Sequence, residues 1–228
     1  MFMSIRTRTL LWAGILGPIA FTVTFVVLGA TRAGYDPVRH FVSLLSLGEG
    51  GWMQAANFVT SGTMIAAFGV GLRRQWHEGR GATWVPRLVS GVGLGLITSG
   101  IFAGDPGLGF PPGAPEGLPT SASWHAGVHY LGSVMVFLGL ASAAFVAARR
   151  GAADGRSGFA GYSVISGLVT LGAWLAPFAI AGAGGVSLTT GLWQRIAIVA
   201  GWQWLVVTAA LELGLAAVPA PAARGRAA

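Results

Sequence analysis

The chain contains no cysteine and no lysine, and only 9% of its 228 residues are charged. Without cysteine there can be no disulfide, thiolate nucleophile or cysteine-bound metal cluster, so histidine and carboxylate are the strong metal ligands that remain. A soluble domain usually has about 25% charged residues. Together with 54% hydrophobic residues and a mean hydropathy of +0.68, this scarcity of charge excludes an ordinary soluble globular protein and predicts an integral membrane protein.

Long apolar windows predict an all-α polytopic membrane protein built as a six-transmembrane-helix bundle. Each window has roughly the 20 residues that cross a hydrocarbon core of about 30 Å. None alternates as a barrel strand would, so helices are expected. The predicted spans are residues 10–30, 52–72, 86–104, 123–148, 158–182 and 191–217. We expect residues 1–228 to form a single transmembrane domain with a disordered tail at 219–228.

The positions of the arginines predict the orientation of the chain in the membrane. Eleven of the fourteen lie beside the termini, the second connection or the fourth connection, whereas Arg32, Arg39 and Arg195 lie on the other side. Because cytoplasmic flanks retain positive charge, both termini are expected on the cytoplasmic side. The expected location is the plasma membrane of a bacterial cell. The net charge of +7 is then a topology signal. Membrane lipids are the expected partners, and nucleic acid is not.

The connection between the first two spans predicts a short interfacial helix across the outer mouth of the bundle. Asp36-Pro37 is typical of an N-cap followed by proline at the first helical position. A helix that continues to about Leu47 would place three polar residues on one face, namely Arg39, Ser43 and Ser46.

Three of the four histidines map to the predicted outer side. His125 and His129 are four residues apart at the start of the fourth span, so both project from one helical face, as two ligands of one metal require. Asp105 ends the third span, His40 comes from the short outer helix, and Ser43 approaches from above; these five are the candidate catalytic residues. Asp105, His125 and His129 either bind a zinc ion that activates water, or form a metal-free functional site, or only hydrogen-bond to loop carbonyls.

Further polar and aromatic residues lie at the same predicted depth. Polar groups inside a membrane are costly and usually face a cavity or one another, so this accumulation predicts an outward-facing polar cavity. The guanidinium of Arg195 is expected to pair either with Asp105 or with an anionic group of a substrate. The candidate substrate-binding residues are Tyr35, Gln54, Asn57, Trp124, Gln194 and Arg195.

The order of these motifs resembles a prokaryotic membrane family known as domain of unknown function 998. The resemblance runs over roughly residues 10 to 215 and rests on Tyr35-Asp36-Pro37, Ser43, Ser46, Gly48, Trp52, Phe102-x-x-Asp105-Pro106, and His125 with His129. It implies a six-span bundle and brings no established activity. Many members carry an acidic residue shortly after the first-loop serine, where this chain reads Ser43-Leu44-Leu45-Ser46, so no role of that acid is transferred here.

Three classes of function remain open at this point. The leading hypothesis is an enzyme acting on a lipid or isoprenoid substrate from the outer side, by metal-assisted hydrolysis or by cyclase-type chemistry with Asp105 as general acid. The second is a small transporter or lipid-binding protein that uses the same cavity. The third is a non-catalytic membrane scaffold, in which small residues let helix backbones approach closely: Gly91, Gly95 and Ser99.

Overall fold

A computed structural model describes residues 3–181 and 188–216 of the chain. Within these residues there are six α-helices long and apolar enough to cross a membrane. They are α1 (Ile5–Thr31), α2 (Gly51–Gln75), α3 (Trp84–Ile101), α4 (Trp124–Ala153), α5 (Ser157–Ala181) and α6 (Thr190–Glu212). The predicted all-α class and six spans are therefore confirmed. The predicted tail at 219–228 lies outside the described residues.

Helices α1 and α4 begin where a side chain accepts a free backbone N–H, and α3 and α6 end where the backbone leaves the helical conformation. Ser4 and Ser123 are the N-caps of α1 and α4, and each hydroxyl accepts the N–H of the residue three positions later. Helix α3 stops at Ile101, three residues before its predicted end, because Phe102 is extended. Helix α6 stops at Glu212, five residues before its predicted end, and is followed by Gly214 at a φ of 71°.

The six helices form a closed ring in which each packs against the next and α6 returns to α1. Phe21 of α1 contacts both Phe58 of α2 and Trp202 of α6. Since neighbours run antiparallel all round the ring, the start of α1 and the end of α6 lie at the same end of the bundle. That end carries most of the arginines, and its location in the cytoplasm stays a prediction.

Glycines allow α2, α3 and α4 to pack closely. A Cβ atom at Gly62 would lie 2.7 Å from the carbonyl oxygen of Gly93, and one at Gly95 would lie 2.6 Å from that of Gly132. A Cβ atom at Gly91 would meet nothing within 4 Å. The small-residue stripe predicted in the third span therefore divides: Gly95 packs inside the bundle, and Gly91 faces open space.

The predicted continuous helix in the first outer loop (residues 32–50) was wrong. The segment forms a turn, in which Asp36 Oδ1 accepts the N–H of Val38 at 2.8 Å, followed by a 3-10 helix at Val42–Ser46. The carbonyl of His40 accepts hydrogen bonds from the side chains of Tyr35 and Arg195. These bonds occupy an acceptor that a continuing helix would use, so the turn does not extend into one.

The first outer loop packs against the second outer loop (residues 102–123). His40 Nε2 is 2.9 Å from the carbonyl of Leu108, and Arg39 forms an exposed 2.8 Å ion pair with Glu116. The ring of Phe110 contacts the rings of Tyr35 and His40. The 3-10 helix packs on α1, α2 and α6. The two loops thus form one ordered cap over the end of the bundle opposite the arginines, which we call the outer cap.

Candidate functional site

Asp105 and His125 are joined through the side chain of Ser123 where α4 begins. Ser123 donates to the two carboxylate oxygens of Asp105, from its N–H at 2.8 Å and from its hydroxyl at 2.5 Å. The same hydroxyl is 3.0 Å from His125 Nδ1, which also lies 3.1 Å from the carbonyl of Ala103. All three side chains are half-buried. We call these residues the Asp–Ser–His chain.

The hydrogen-bond partners assign the protons of this chain. The carbonyl of Ala103 can only accept, so Nδ1 of His125 carries a proton, and the hydroxyl of Ser123 directs its own proton to Asp105. In a neutral imidazole the other nitrogen is then an acceptor. Nε2 of His125 has no hydrogen-bond partner among the residues that the structure describes, so it is available to an external molecule.

The two hydrogen bonds from Ser123 lower the pKa of Asp105 below its ordinary value, and the neighbouring His125 acts in the same direction. The carboxylate is therefore ionised at neutral pH. This direction argues against cyclase-type chemistry in which Asp105 is the general acid. An ionised Asp105 instead fixes the orientation of Ser123 and offsets a positive charge on His125.

His129 lies one turn further along α4 and faces the end of α3. Its Nδ1 is 3.0 Å from the carbonyl of Ser99 and 2.9 Å from that of Phe102, and its side chain is 2% exposed. The last carbonyls of a helix lack intrahelical donors, and His129 and His125 supply donors at this end of α3. Across residues 3–181 and 188–216, no three His, Asp or Glu side chains are grouped to bind a metal. The predicted zinc ligands Asp105, His125 and His129 therefore do not converge on one metal position.

A family model described as a protein of unknown function, DUF998, matches residues 15–211. The chain belongs to this family. The match confirms the resemblance seen in the motif order and covers both outer loops and the Asp–Ser–His chain. No curated protein and no solved structure matches the chain. The family description assigns no activity, so the function of this DUF998 protein has to be argued from its geometry.

His40 and Arg195 form a second, separate cluster in this DUF998 protein. His40 Nδ1 accepts the N–H of Asp36 at 2.9 Å while Nε2 donates to Leu108, so both ring nitrogens are engaged in the outer cap. Arg195 donates to the carbonyl of His40 at 3.0 Å and to the hydroxyl of Tyr35 at 2.6 Å. Burial raises the pKa of Tyr35, although Arg195 opposes this effect.

The expected meeting of this cluster with the Asp–Ser–His chain does not occur in the described part of the protein. Arg195 forms no ion pair with Asp105, and His40 shares no hydrogen bond or ring contact with His125 or His129. The physical reason is that carbonyls and a phenol of the outer cap already satisfy Arg195. We therefore assign His40, Tyr35 and Arg195 to holding the outer cap on α6.

Of the predicted polar residues, Ser43 and Gln194 line a small cavity beneath the 3-10 helix, and an outward-facing polar cavity at the Asp–Ser–His chain stays a prediction. The small cavity is also lined by serines of α3 and α4 and several aromatic rings, and has a volume of about 30 Å³. This is room for roughly two water molecules, well below the roughly 300 Å³ of small-molecule sites. Gln194 Oε1 accepts the N–H of Val42 at 2.7 Å, and both residues line the cavity.

Gln54 and Asn57 lie inside the bundle rather than at the Asp–Ser–His chain. Asn57 Nδ2 donates to the carbonyl of Phe21 at 3.2 Å and to Gln54 Oε1 at 3.3 Å, and its own Oδ1 accepts from Ser61 at 3.2 Å. Gln54 is fully buried. These amides connect α2 to α1, so their predicted contact with a substrate has no geometric support.

Trp124 lies beside His125 at the start of α4. Trp124 is 73% exposed, and its ring lies 5.8 Å from that of Phe102 and 5.7 Å from that of His125. It thus presents an aromatic surface beside the imidazole.

Ser123 is a candidate functional residue that the sequence did not predict. Its signal was a serine at the first position before an apolar helix, which predicts an N-cap, but not the bond from the same hydroxyl to Asp105.

Proposed function

We propose that this DUF998 protein is a membrane enzyme that carries out acid–base chemistry on a lipid-like substrate at the outer membrane interface. His125 is the residue that exchanges a proton with the substrate. The observation that carries the proposal is the hydrogen-bond chain from Asp105 through Ser123 to His125, beside the exposed ring of Trp124. The proposal includes the orientation expected from the arginines, with both termini in the cytoplasm of a bacterial plasma membrane.

The proposed chemistry follows from the directions of the hydrogen bonds. Nε2 of His125 takes a proton from a substrate hydroxyl or from a water molecule, and the imidazole becomes positively charged. Nδ1–H continues to donate to the hydroxyl of Ser123, which donates to the ionised Asp105. The carboxylate thus stabilises the imidazolium through one intervening hydroxyl, in the manner of a carboxylate that orients a catalytic histidine.

A lipid or isoprenoid substrate is favoured by the apolar surroundings of His125. The ring of Trp124 is 73% exposed and lies 5.7 Å from that of His125, and Ile101 at the end of α3 is 64% exposed, so apolar surface is accessible at this end of the bundle. An apolar chain can lie against this surface while its polar end reaches His125. An indole at a helix start is also typical of the membrane–water interface.

Transport and scaffolding have less support than catalysis. The cavity beneath the 3-10 helix has a volume of about 30 Å³, room for roughly two water molecules, so it does not favour the passage of a solute. For a scaffold, the glycines of the closest helix contacts are already used, since Gly62, Gly93, Gly95 and Gly132 pack against neighbouring helices of the same chain, and open positions such as Gly91 remain. Neither class has an observation of its own comparable to the Asp–Ser–His chain.

The proposal is tested by lipid analysis of cells that express the protein. Untargeted mass spectrometry of lipid extracts compares the wild type with His125→Ala and with the matched control His77→Ala, an exposed histidine at the other end of the bundle. We expect a lipid or isoprenoid species to be formed or depleted by the wild type and by His77→Ala. His125→Ala should lower this conversion by about 10²- to 10⁴-fold, as is typical when an acid–base group is removed. Equal conversion by His125→Ala, or none by the wild type, contradicts the proposal.

A further inference from the structure

A groove at the arginine-rich end of the bundle runs between α2 and α3. It has a volume of about 480 Å³, within the range of small-molecule sites, roughly 300 to 1,000 Å³. Its floor is tight, because a Cβ atom at Gly69 would lie 2.3 Å from the hydroxyl of Ser90. Arginines and apolar residues line its two sides: Val70, Arg73 and Arg74 on α2, and Arg87, Gly91 and Leu94 on α3. We call it the arginine groove.

The three arginines of this groove have no acidic partner within the described ranges. The ion pairs formed within these ranges join other arginines, Arg39 to Glu116 and Arg150 to Asp154. Arg73 donates only to the carbonyl of Trp76, at 3.3 Å, and the guanidinium of Arg87 lies 5.7 Å from the ring of Trp84. Three uncompensated guanidinium groups converge on one concave surface, and this arrangement suits an anion that accepts bidentate hydrogen bonds.

The position of the groove along the helices adds an apolar requirement to its ligand. The arginines lie at the last turn of α2 and the first turn of α3, and the exposed Trp84 begins α3. Arginine and tryptophan at helix ends are typical of the membrane–water interface. Towards the middle of the bundle the groove continues over Val70, Gly91 and Leu94, and Val70 and Leu94 are 45% and 54% exposed. The ligand must therefore have an anionic end and an apolar body.

We propose that the arginine groove binds an anionic phospholipid of the surrounding leaflet. The phosphate lies among Arg73, Arg74 and Arg87, and an acyl chain lies over Gly91 and Leu94. Basic pockets between transmembrane helices are known to take such headgroups. The site is at the opposite end of the bundle from the Asp–Ser–His chain and does not depend on the proposed catalytic function.

Native mass spectrometry tests the site with defined lipids. The purified protein is equilibrated in mixed micelles containing equal amounts of phosphatidylglycerol and phosphatidylcholine, and the retained lipids are counted. We expect the wild type to retain phosphatidylglycerol preferentially. The double variant Arg73→Gln/Arg87→Gln should lose this preference by roughly fivefold per arginine, since each basic residue near the surface contributes about 1 kcal/mol and 1.4 kcal/mol is a factor of ten.

A charge-matched control separates a site from a diffuse field. Arg80→Gln/Arg149→Gln removes the same charge from the same end of the bundle, at exposed positions outside the groove. It should keep most of the preference for phosphatidylglycerol. Equal losses in the two double variants, or unchanged retention in Arg73→Gln/Arg87→Gln, would overturn the proposal.

A steric variant tests the acyl part of the groove without changing charge. Gly91→Leu fills the groove at a position where an added Cβ meets nothing within 4 Å, and Gly172→Leu on α5 is the control with the same open surroundings. Both variants are expected to fold. Gly91→Leu should retain less phosphatidylglycerol than Gly172→Leu, and equal retention contradicts a lipid in this groove.

Discussion

At the scale of single residues, Ser123 combines two tasks that are usually separate. Its hydroxyl accepts the N–H of Ala126 as the N-cap of α4 and donates to Asp105. The sequence placed Asp105 and His125 at the same predicted outer end, and the structure joins them through Ser123, while their role in chemistry stays a proposal. The sequence did not predict the partners of His40, whose two ring nitrogens bind the backbone of Asp36 and of Leu108, 68 residues away. Such partners depend on how distant loops pack.

Ser123→Ala is expected to destabilise the protein more than the matched change Ser4→Ala. Each variant removes an N-cap hydrogen bond, worth about 1 kcal/mol. Only Ser123 also holds a carboxylate, and the stability of that contact depends on pH. Because folding lowers the pKa of Asp105, its ionised form contributes stability above the ordinary pKa of about 3.9, and the contribution is lost as pH falls through the lowered value.

Thermal unfolding in detergent compares the stability of Ser123→Ala with that of Ser4→Ala. Repeating it at several pH values with Asp105→Asn isolates the contribution of the carboxylate. The wild type should exceed Asp105→Asn in stability above about pH 5, and this difference should shrink in stronger acid as Asp105 becomes protonated. Ser4→Ala should differ from the wild type equally at every pH. A stability difference between wild type and Asp105→Asn that does not shrink in strong acid would mean that the ionised carboxylate of Asp105 does not stabilise the fold.

At the scale of helices, composition and spacing predicted more than at the scale of residues. The apolar windows located all six helices to within a few residues at most ends, since an element that crosses lipid must be long and apolar. The prediction of a continuous outer helix was wrong because the side chains of Tyr35 and Arg195 bind the backbone carbonyl of His40. Helical spacing grouped Gly91 with Gly95, but only contacts between helices distinguish them.

Gly95→Leu is expected to destabilise the bundle, whereas Gly91→Leu is expected to be tolerated. A Cβ atom at Gly95 would lie 2.6 Å from the carbonyl of Gly132, so α3 and α4 would have to separate. Overpacking of this kind costs about 1 to 3 kcal/mol or more. Thermal unfolding of the two variants in the same detergent compares them. Equal stability of the two variants would show that α3 and α4 do not pack through Gly95.

At the scale of the whole molecule, the two ends of the bundle differ in chemistry. One end carries unpaired arginines around an open groove, and the other carries an ordered cap and the Asp–Ser–His chain. The sequence predicted this polarity from the arginines, but it merged the outer polar residues into one site. The structure separates them because Arg195 and His40 are used to hold the outer cap, and of the three outer histidines only His125 is half-buried rather than buried, with one ring nitrogen that has no partner among the described residues.

The central claim is that, of the outer histidines His40, His125 and His129, only His125 is available for chemistry. Chemical modification of the four histidines tests it. Diethyl pyrocarbonate acylates accessible neutral imidazoles, and mass spectrometry of the purified protein reads the extent at each histidine. We expect rapid modification of His125 and of the exposed His77. His40 and His129, which are 4% and 2% exposed, should react only when denaturant unfolds the protein. Protection of His125 equal to that of His129, or modification of His40 as fast as His125, would contradict the account.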